Sequence, residues 1–221
     1  SCNPGFVNLG LKLGKEKLFS YIDKFGFGKK TGIDLNGESS GIIFNLDKVG
    51  PVELATTAFG QGVSVTPIQQ ITAVSAAING GTLYKPYVVK SLNEPVTNTV
   101  VKQNEPTKVR TVISEETSKK VRETLESVVT NGTGRPAYIE GYRVGGKTGT
   151  AQKVQNGRYM VGNYIVSFIG FLPADDPEII VYVAVDNAKG VTQYGGTIAA
   201  PIAKNVLTDA ISILNIKKRN T

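Results

Sequence analysis

The sequence predicts a mixed α/β fold of the α+β type, in which an antiparallel sheet is flanked by helices. Two runs of β-branched and aromatic residues, 163–172 and 178–188, are separated by a short segment with a proline at each end, which predicts a β-hairpin. A helix is predicted to begin after Thr66, because Thr66 and Gln69 match a capping box with proline at the first helical position. Apolar residues recur at helical spacing over 197–216, so a closing helix is expected to pack on the sheet.

The amino-terminal segment predicts two short helices followed by a loop. Apolar residues recur at helical spacing over 6–25, and Gly10 and Gly14 indicate a break between the two helices. Residues 26–44 contain too many glycines for a continuous helix. We therefore expect turns with short extended pieces there.

The middle of the chain predicts one extended segment and one further helix. The helix that begins after Thr66 is expected to stop at Asn79, where two glycines follow, and extended structure is expected over 82–92. Residues 93–108 form a polar stretch. A second helix is predicted from Ser114 to Asn131, since two glutamates occupy its first turn and a glycine follows its end.

The composition excludes several kinds of active site. The chain has 221 residues, of which 40% are hydrophobic and 19% charged, as expected for a globular domain with a sizeable core. It contains no histidine, so a Ser-His-Asp triad and every histidine-containing metal site are excluded. The single cysteine, Cys2, cannot form an internal disulfide or a multi-thiolate zinc site. Neither a metal nor a cofactor is predicted.

The charge is compatible with several anionic partners. A net charge of +7 and a pI near 9.4 would suit nucleic acid, an anionic membrane or an anionic cell-wall polymer. No basic motif with interleaved aromatic residues is present, so a nucleic-acid partner is not expected. The basic cluster within 217–221 predicts a solvated tail after a domain that spans 1–216. No apolar run reaches the roughly 18 residues of a membrane-spanning helix, so any membrane anchor is expected outside the chain.

The segment GGKTGTAQ, residues 145–152, allows two interpretations of Lys147. Counted from Gly141, the sequence matches the phosphate-loop pattern G-x-x-x-x-G-K-[ST], and Asp186 ends an apolar run as a Walker B aspartate does. A phosphate loop must lead into a helix, however, and the Asn156–Gly157 pair that follows indicates a hairpin turn. This disfavours a nucleotide-binding site and leaves the Lys-Thr-Gly triplet of penicillin-recognising serine acyl-transferases.

Four segments in order carry a resemblance to one family. They are the S-x-N motif at Ser1–Asn3, the loop sequence at 25–34, the FGQG and TP-x-Q sequence at 59–69, and KTGTAQ at 147–152. Together they resemble the transpeptidase domain of class B penicillin-binding proteins over essentially all 221 residues. The related serine β-lactamases have a shorter interval between motifs and a deacylating glutamate motif that we do not find. A cysteine within S-x-N most resembles the sporulation-specific members.

This resemblance implies a peptidoglycan D,D-transpeptidase with the penicillin-binding protein and serine β-lactamase-like fold. In the family, a serine attacks the bond between the terminal D-alanines of a stem peptide, and an amine from a neighbouring stem resolves the acyl-enzyme into a cross-link. β-Lactam antibiotics acylate the same serine. The resemblance also implies a glycosyltransferase partner and a location on the extracytoplasmic face of a bacterial cell membrane.

The resemblance assigns roles to six residues. Ser1 would relay a proton to the leaving amine, and Asn3 would bind the substrate's amide while holding the nucleophile's lysine; the alternative for Asn3 is helix capping before Pro4. Lys147 would supply positive potential, and its alternative is a solvated edge lysine. The residues assigned to substrate binding are Thr148 and Thr150, which would hold the carboxylate, and Gly149, which would leave room for the acyl chain. The backbone N–H of Thr150 would form half of the oxyanion hole.

One motif of the family is missing, because no serine in the chain has a lysine three residues later. The S-x-x-K nucleophile is therefore expected outside this polypeptide, and the sheet is expected to be incomplete, with 179–185 as an exposed apolar edge. We predict that Ser1, Asn3, Lys147 and Thr150 converge on one cleft. The alternative function is a non-catalytic module that binds a cell-wall strand or a protein partner.

Overall fold

A computed structural model describes residues 1–219 and divides the chain into two compact units. The first unit contains residues 1–77 and 81–114, and the second contains 78–80 and the chain from 115 onward. Both units combine helices with antiparallel strands, so the predicted α+β class is confirmed.

The first unit begins with helices α1 (Asn3–Leu13) and α2 (Lys15–Lys24). The predicted break lies at Gly14 alone, whose φ of 80° is disfavoured for other residues. Gly10 lies inside α1, and the prediction of a break there was wrong. A Cβ on Gly10 would lie 2.4 Å from the Cβ of Ala58 in the unpredicted helix α3 (Pro51–Ala58), so this glycine permits close packing of two helices.

The predicted capping box begins helix α4 (Pro67–Ile78). Thr66 N donates to Gln69 Oε1 at 2.9 Å, and Gln69 N donates to Thr66 Oγ1 at 3.2 Å. The buried Gln69 amide also donates to the carbonyls of Lys29 and Ser40 at 2.7 and 2.8 Å. One side chain thus joins the start of a helix to two points of the preceding glycine-rich loop, which contains the turns predicted from its sequence.

Two small antiparallel sheets complete the first unit. Strand β1 (Thr82–Lys85) pairs with β4 (Thr107–Thr111), and β2 (Ser91–Asn93) pairs with β3 (Val100–Gln103). The sequence predicted extended structure near β1 and β2 but treated 93–108 as a polar stretch, and so missed β3 and β4. All four side chains of β3 are exposed, and with no buried face the strand lacks the apolar alternation by which strands are recognised.

The second unit contains helix α5 (Glu115–Asn131) and a three-stranded sheet in the order β5-β6-β7. The strands are β5 (Gly145–Gln155), β6 (Arg158–Leu172) and β7 (Ile179–Asp186). The predicted meander and hairpin turn are confirmed: Asn156 and Gly157 both have positive φ, 51° and 74°, as a type I′ turn requires. The final helix, α6 (Gly195–Leu214), begins two residues before the predicted start.

Helix α6 is long and apolar enough to cross a membrane by length and composition. One face, however, carries buried small and aliphatic residues such as Ala203 and Leu207, which share a core with Phe168 and Leu172 of β6. The helix therefore packs on the sheet as the periodicity of 197–216 predicted.

The basic residues at the end of the described chain differ in their surroundings. Arg219 donates from its backbone to the Gly141 carbonyl at 3.0 Å and from its guanidinium to Asp175 at 2.9 Å, whereas Lys217 and Lys218 are exposed. Residues 220 and 221 of the predicted tail lie outside the described residues.

The glycine pair at the start of β5 is explained by two buried aromatic rings. A Cβ on Gly145 would lie 2.3 Å from Cζ of Phe171, and one on Gly146 would lie 2.4 Å from Cζ of Phe168. Both rings are fully buried. The strand that carries Lys147 therefore rests directly on the core, and only glycine fits at these two positions.

We predict that Gly146→Ala destabilises the protein by about 1–3 kcal/mol or more, because the new methyl overpacks the Phe168 ring. Gly5→Ala is the control, since its Cβ would come no closer than 3.6 Å to Cys2 and alanine is favoured inside a helix. Urea unfolding of both variants measures the difference. Equal stability of the two variants would show that the ring moves aside without cost.

Strand β7 has a partner on one side only, since within residues 1–219 it pairs with β6 and no other strand. Its residues Ile179, Val181 and Val183 pack against the core, while the backbone on its other side lacks a strand partner. In the isolated chain we expect rapid hydrogen exchange at 179–185 or self-association through this edge. Hydrogen-exchange mass spectrometry with sedimentation is the test, and a monomer with firm protection there would contradict the expectation.

Candidate active site

Strand β5 carries the Lys-Thr-Gly-Thr segment along one edge of the sheet. Lys147 is paired with Ile169 of β6, and Thr148 with Phe168. The chain continues as a strand after Lys147 as far as Gln155, so no helix follows the glycine pair. This geometry is that of a sheet edge and excludes the phosphate-loop interpretation, which needs a helix amino terminus at that point.

The Lys147 side chain bends back along its own strand. Alternation along a strand places it on the opposite face from Thr148 and Thr150. Its Nζ nevertheless donates to the backbone oxygen of Thr148 at 2.9 Å, which brings the amine beside the threonine segment. The side chain is half-buried, and this burial lowers the pKa of the Lys147 amine.

Thr148 lies against a second hydroxyl that the sequence did not predict. The Oγ1 atoms of Thr148 and Thr133 are 3.0 Å apart, within hydrogen-bond distance. Thr133 lies between Gly132 and Gly134 in the turn that follows α5. When Thr133 donates in this contact, the Thr148 hydroxyl keeps its own proton for one further acceptor.

Thr150 meets the amino terminus of α6. The backbone N–H of Gly195, the first residue of that helix, donates to Thr150 Oγ1 at 3.3 Å. A Cβ on Gly195 would lie 2.5 Å from the Gly149 carbonyl oxygen, and a Cβ on Gly149 would lie 2.4 Å from Ser167 Oγ. Glycine at these positions lets the end of α6 approach strand β5 closely. The Ser167 side chain occupies the space that a side chain at position 149 would need.

The described groups of this edge favour an anion. They comprise the Lys147 amine, the Thr148 and Thr150 hydroxyls, and the first turn of a 20-residue helix whose dipole is positive at this end. Hydroxyl and amide donors with one nearby positive charge suit a carboxylate. The carboxylate-binding role expected of the threonines stays a prediction.

Ser1 and Asn3 belong to the first unit, at the start of α1. The residue that caps the helix is Cys2, with no side-chain cap bond, while Asn3 is the first helical residue and Pro4 follows. The interpretation of Asn3 as a capping side chain is thus wrong. Ser1 and Asn3 are exposed, and their convergence with Lys147 stays a prediction.

Sequence reasoning missed two residues of this edge, namely Thr133 and Gly195. Each had a signal in composition: Thr133 is enclosed by two glycines, and a glycine pair begins the apolar stripe of α6. Glycines at such places mark close approach of backbones. Which two segments approach each other depends on contacts between residues far apart in the chain. Gly195 and Thr150, for example, are 45 residues apart, and their contact cannot be predicted from sequence spacing.

The lowered pKa of Lys147 gives a testable result. Because burial disfavours its charged form in the folded state, the amine is expected to titrate below 10.5, the ordinary lysine value. Stability should accordingly rise as pH increases through the folded pKa towards the unfolded value, the reverse of a lysine that gains a salt bridge. Competitive acetylation followed by peptide mass spectrometry measures the midpoint, with the urea-unfolded protein as reference; equal midpoints would contradict it.

The chain belongs to the penicillin-binding protein transpeptidase domain family, whose sequence profile matches residues 1–208. It is 67% identical over 219 residues to "Stage V sporulation protein D" of Bacillus subtilis, which confirms the resemblance to sporulation-specific members. It is 33% identical over 217 residues to "Probable peptidoglycan D,D-transpeptidase PenA" of Neisseria meningitidis. These alignments cover 99% and 98% of this chain but 34% and 35% of the relatives, so the chain spans about a third of their length.

Solved structures agree with this assignment. Penicillin binding protein 3 of Mycobacterium tuberculosis, complexed with ampicillin, superposes with a TM-score of 0.89 at 29% identity, over 99% of this chain and 50% of that one. The transpeptidase domain of penicillin-binding protein 3 from Burkholderia pseudomallei gives a TM-score of 0.86 at 28% identity, over 99% and 63%. The predicted fold of the family is confirmed.

Proposed function

We propose that the protein containing this chain is a peptidoglycan D,D-transpeptidase that cross-links stem peptides through a serine acyl-enzyme. The observation that carries the proposal is the arrangement of Lys147, Thr148 and Thr150 beside the amino terminus of α6. A stem peptide that ends in D-alanyl-D-alanine presents a terminal carboxylate next to the bond to be broken. Binding that carboxylate places the scissile carbonyl at a fixed distance from the same strand edge.

Each residue of the edge has a role in this mechanism. The hydroxyls of Thr148 and Thr150 hold the carboxylate, and the Thr150 backbone N–H supplies half of the oxyanion hole for the tetrahedral intermediate. Lys147 adds positive potential, which burial strengthens because a lower local dielectric screens it less. Gly149 brings no side chain to the strand edge between the two threonines.

Ser1 and Asn3 complete the proposed machinery. Ser1 passes a proton to the amine of the departing D-alanine, and Asn3 accepts and donates hydrogen bonds to the substrate's amide. The attacking serine, its S-x-x-K lysine and the other half of the oxyanion hole come from sequence outside residues 1–221. Attack by that serine expels D-alanine, and the amine of a second stem peptide then displaces the serine and forms the cross-link.

The relatives extend the proposal to partners and location. The structures with ampicillin and aztreonam, both of the Mycobacterium tuberculosis protein, support β-lactams as ligands. The identity with the Bacillus subtilis sporulation protein supports a role in sporulation. We propose a membrane anchor outside this chain, a site on the extracytoplasmic face of the membrane and a glycosyltransferase partner that supplies the glycan strands.

The test is transpeptidation by the full-length protein. Purified protein is incubated with a pentapeptide-bearing donor and an amine acceptor, and both D-alanine release and the cross-linked product are quantified. We expect both, and we expect benzylpenicillin to block both. Reversible binding of glycan strands without D-alanine release would instead support the non-catalytic binding module.

A further inference from the structure

The β2–β3 hairpin, residues 88–104 of the first unit, carries apolar side chains in solvent. Val88, Leu92, Val100 and Val101 are 62%, 53%, 51% and 72% exposed, and Val96 in the connecting turn is 89% exposed. Single exposed apolar residues are common on protein surfaces, but five lie within 14 residues of this short hairpin. Leu92 and Val100 are on one face of the strand pair with Lys102, and Val101 is on the other face. Both faces of the hairpin therefore offer apolar contacts to a partner.

Hydrogen bonds hold the turn and the base of the hairpin. In its turn, the Glu94 carboxylate accepts from Val96 N at 2.9 Å and Thr97 Oγ1 at 2.8 Å. At its base, Asn104 donates to the carbonyls of Val89 and Lys90 at 2.7 and 2.9 Å. These bonds order the hairpin while its apolar side chains stay exposed to a partner.

The Asp34 carboxylate fixes the start of the hairpin. The two carboxylate oxygens of Asp34 accept from the backbone N–H groups of Val88 and Val89 at 2.7 and 2.9 Å. These bonds lower the pKa of Asp34, so the clamp persists under mildly acidic conditions. A surface ordered before binding loses less conformational entropy when a partner binds.

The edges of the hairpin are open to a third strand. In the part of the chain that the structure describes, β2 and β3 pair only with each other. Since Asn104 N bonds to Lys90 O, alternation along an antiparallel ladder directs the backbone groups of Ser91 and Gln103 away from the pair. A third strand would satisfy these groups and place its own side chains beside those of the hairpin.

The charges of this region select the partner. Over residues 84–110 there are five lysines and arginines against two glutamates. Both glutamates are engaged locally, Glu94 in the turn and Glu105 as acceptor from Gln103 at 2.8 Å. Lysine on an open edge repels a second basic strand and admits an acidic one. Lys90 and Lys102, which flank the apolar residues, are the charges placed to do this.

We propose that the β2–β3 hairpin binds an extended segment of a partner protein, in which apolar and acidic residues alternate, as a third strand. The hairpin supplies backbone hydrogen bonds along the outer edge of β3, and Val101 on one face contacts the apolar residues of the segment. On the other face Lys102, with Lys90 beside it across the strand pair, pairs with the carboxylates. This interface is separate from the chemistry of Lys147 and does not rest on the proposed enzymatic activity.

The probe is a fluorescent synthetic peptide of alternating valine and glutamate, titrated with the full-length protein and followed by anisotropy. We expect saturable binding that weakens with added salt. The double variant Lys90→Glu with Lys102→Glu should weaken binding by roughly 10-fold or more, because two attractive contacts become repulsive. The control, Lys17→Glu with Lys204→Glu, changes the net charge equally at exposed positions elsewhere and should leave binding unchanged.

Hydrogen-exchange mass spectrometry locates the peptide, and new protection at 90–93 and 100–104 is expected. The proposal is overturned by no binding, by equal binding of a valine–lysine peptide, or by protection confined to other segments. Binding of phosphatidylglycerol vesicles without binding of the peptide would assign the patch to a membrane surface. Self-association that Val101→Asp abolishes, seen by sedimentation without peptide binding, would assign it to a second copy of the chain. Either result also refutes a partner strand.

Discussion

The 221-residue chain alone is expected to form no covalent adduct with benzylpenicillin. No serine in it has a lysine three residues later, and in the proposed mechanism Ser1 relays a proton and does not attack. The threonines and Lys147 can still attract the carboxylate of the antibiotic, but without acylation this binding should be weak and reversible. Intact-mass spectrometry after incubation gives a result that is all or none.

The comparison is a longer form of the protein that includes the upstream S-x-x-K segment, which should gain the mass of one penicilloyl group. An adduct on the short chain would show that the nucleophile is misassigned. An unmodified longer form would remove the acyl-enzyme from the mechanism and favour the non-catalytic module.

Replacing Lys147 by alanine in the full-length protein is expected to slow penicillin acylation by about 10²-fold or more. This is the order of effect seen when one electrostatic partner of a transition state is removed from a site. The loss should appear in the acylation rate constant measured by stopped flow, because Lys147 acts on a proton transfer and a developing charge.

Lys153→Ala is the matched control, since Lys153 lies on the same strand but pairs at 2.6 Å with the exposed carboxylate of Asp186. Its removal should change the acylation rate little, as exposed ion pairs contribute weakly. Equal effects of the two substitutions would mean that the lysine acts only through the net charge of the strand.

The parts of the fold that sequence predicted best were those where local and tertiary preferences agree. Two such parts are the capping box of Thr66 and Gln69 and the turn at Asn156 and Gly157. Both form by contacts between residues close in sequence, so the residue types alone predict them. Gly10 was misread because glycine inside a helix has two causes, a break or close packing. Only the distant Ala58 decides between them.

The candidate site was predictable in its strand and less so in its surroundings. The motif indicated Lys147, Thr148 and Thr150, and the alternation of a strand indicated that the threonines share a face. The bend of the Lys147 side chain towards the Thr148 carbonyl and its partial burial depend on neighbours in space, which the order of residues along the chain does not show. Thr133 was missed for the same reason, since a single hydroxyl in a turn carries no periodic signal.

Helix α6 has one end at Thr150 and its length in the core. Ala203 and Leu207 are fully buried along it, and Gly195 at its tip holds the threonine hydroxyl. Because protein interiors are close-packed, we expect a change of side-chain volume at Ala203 or Leu207 to displace the helix. Substitutions at these buried positions, away from strand β5, would therefore shift the Gly195 N–H that donates to Thr150. Such variants would then unfold at a lower temperature and also bind a carboxylate more weakly, because one displacement of α6 causes both effects.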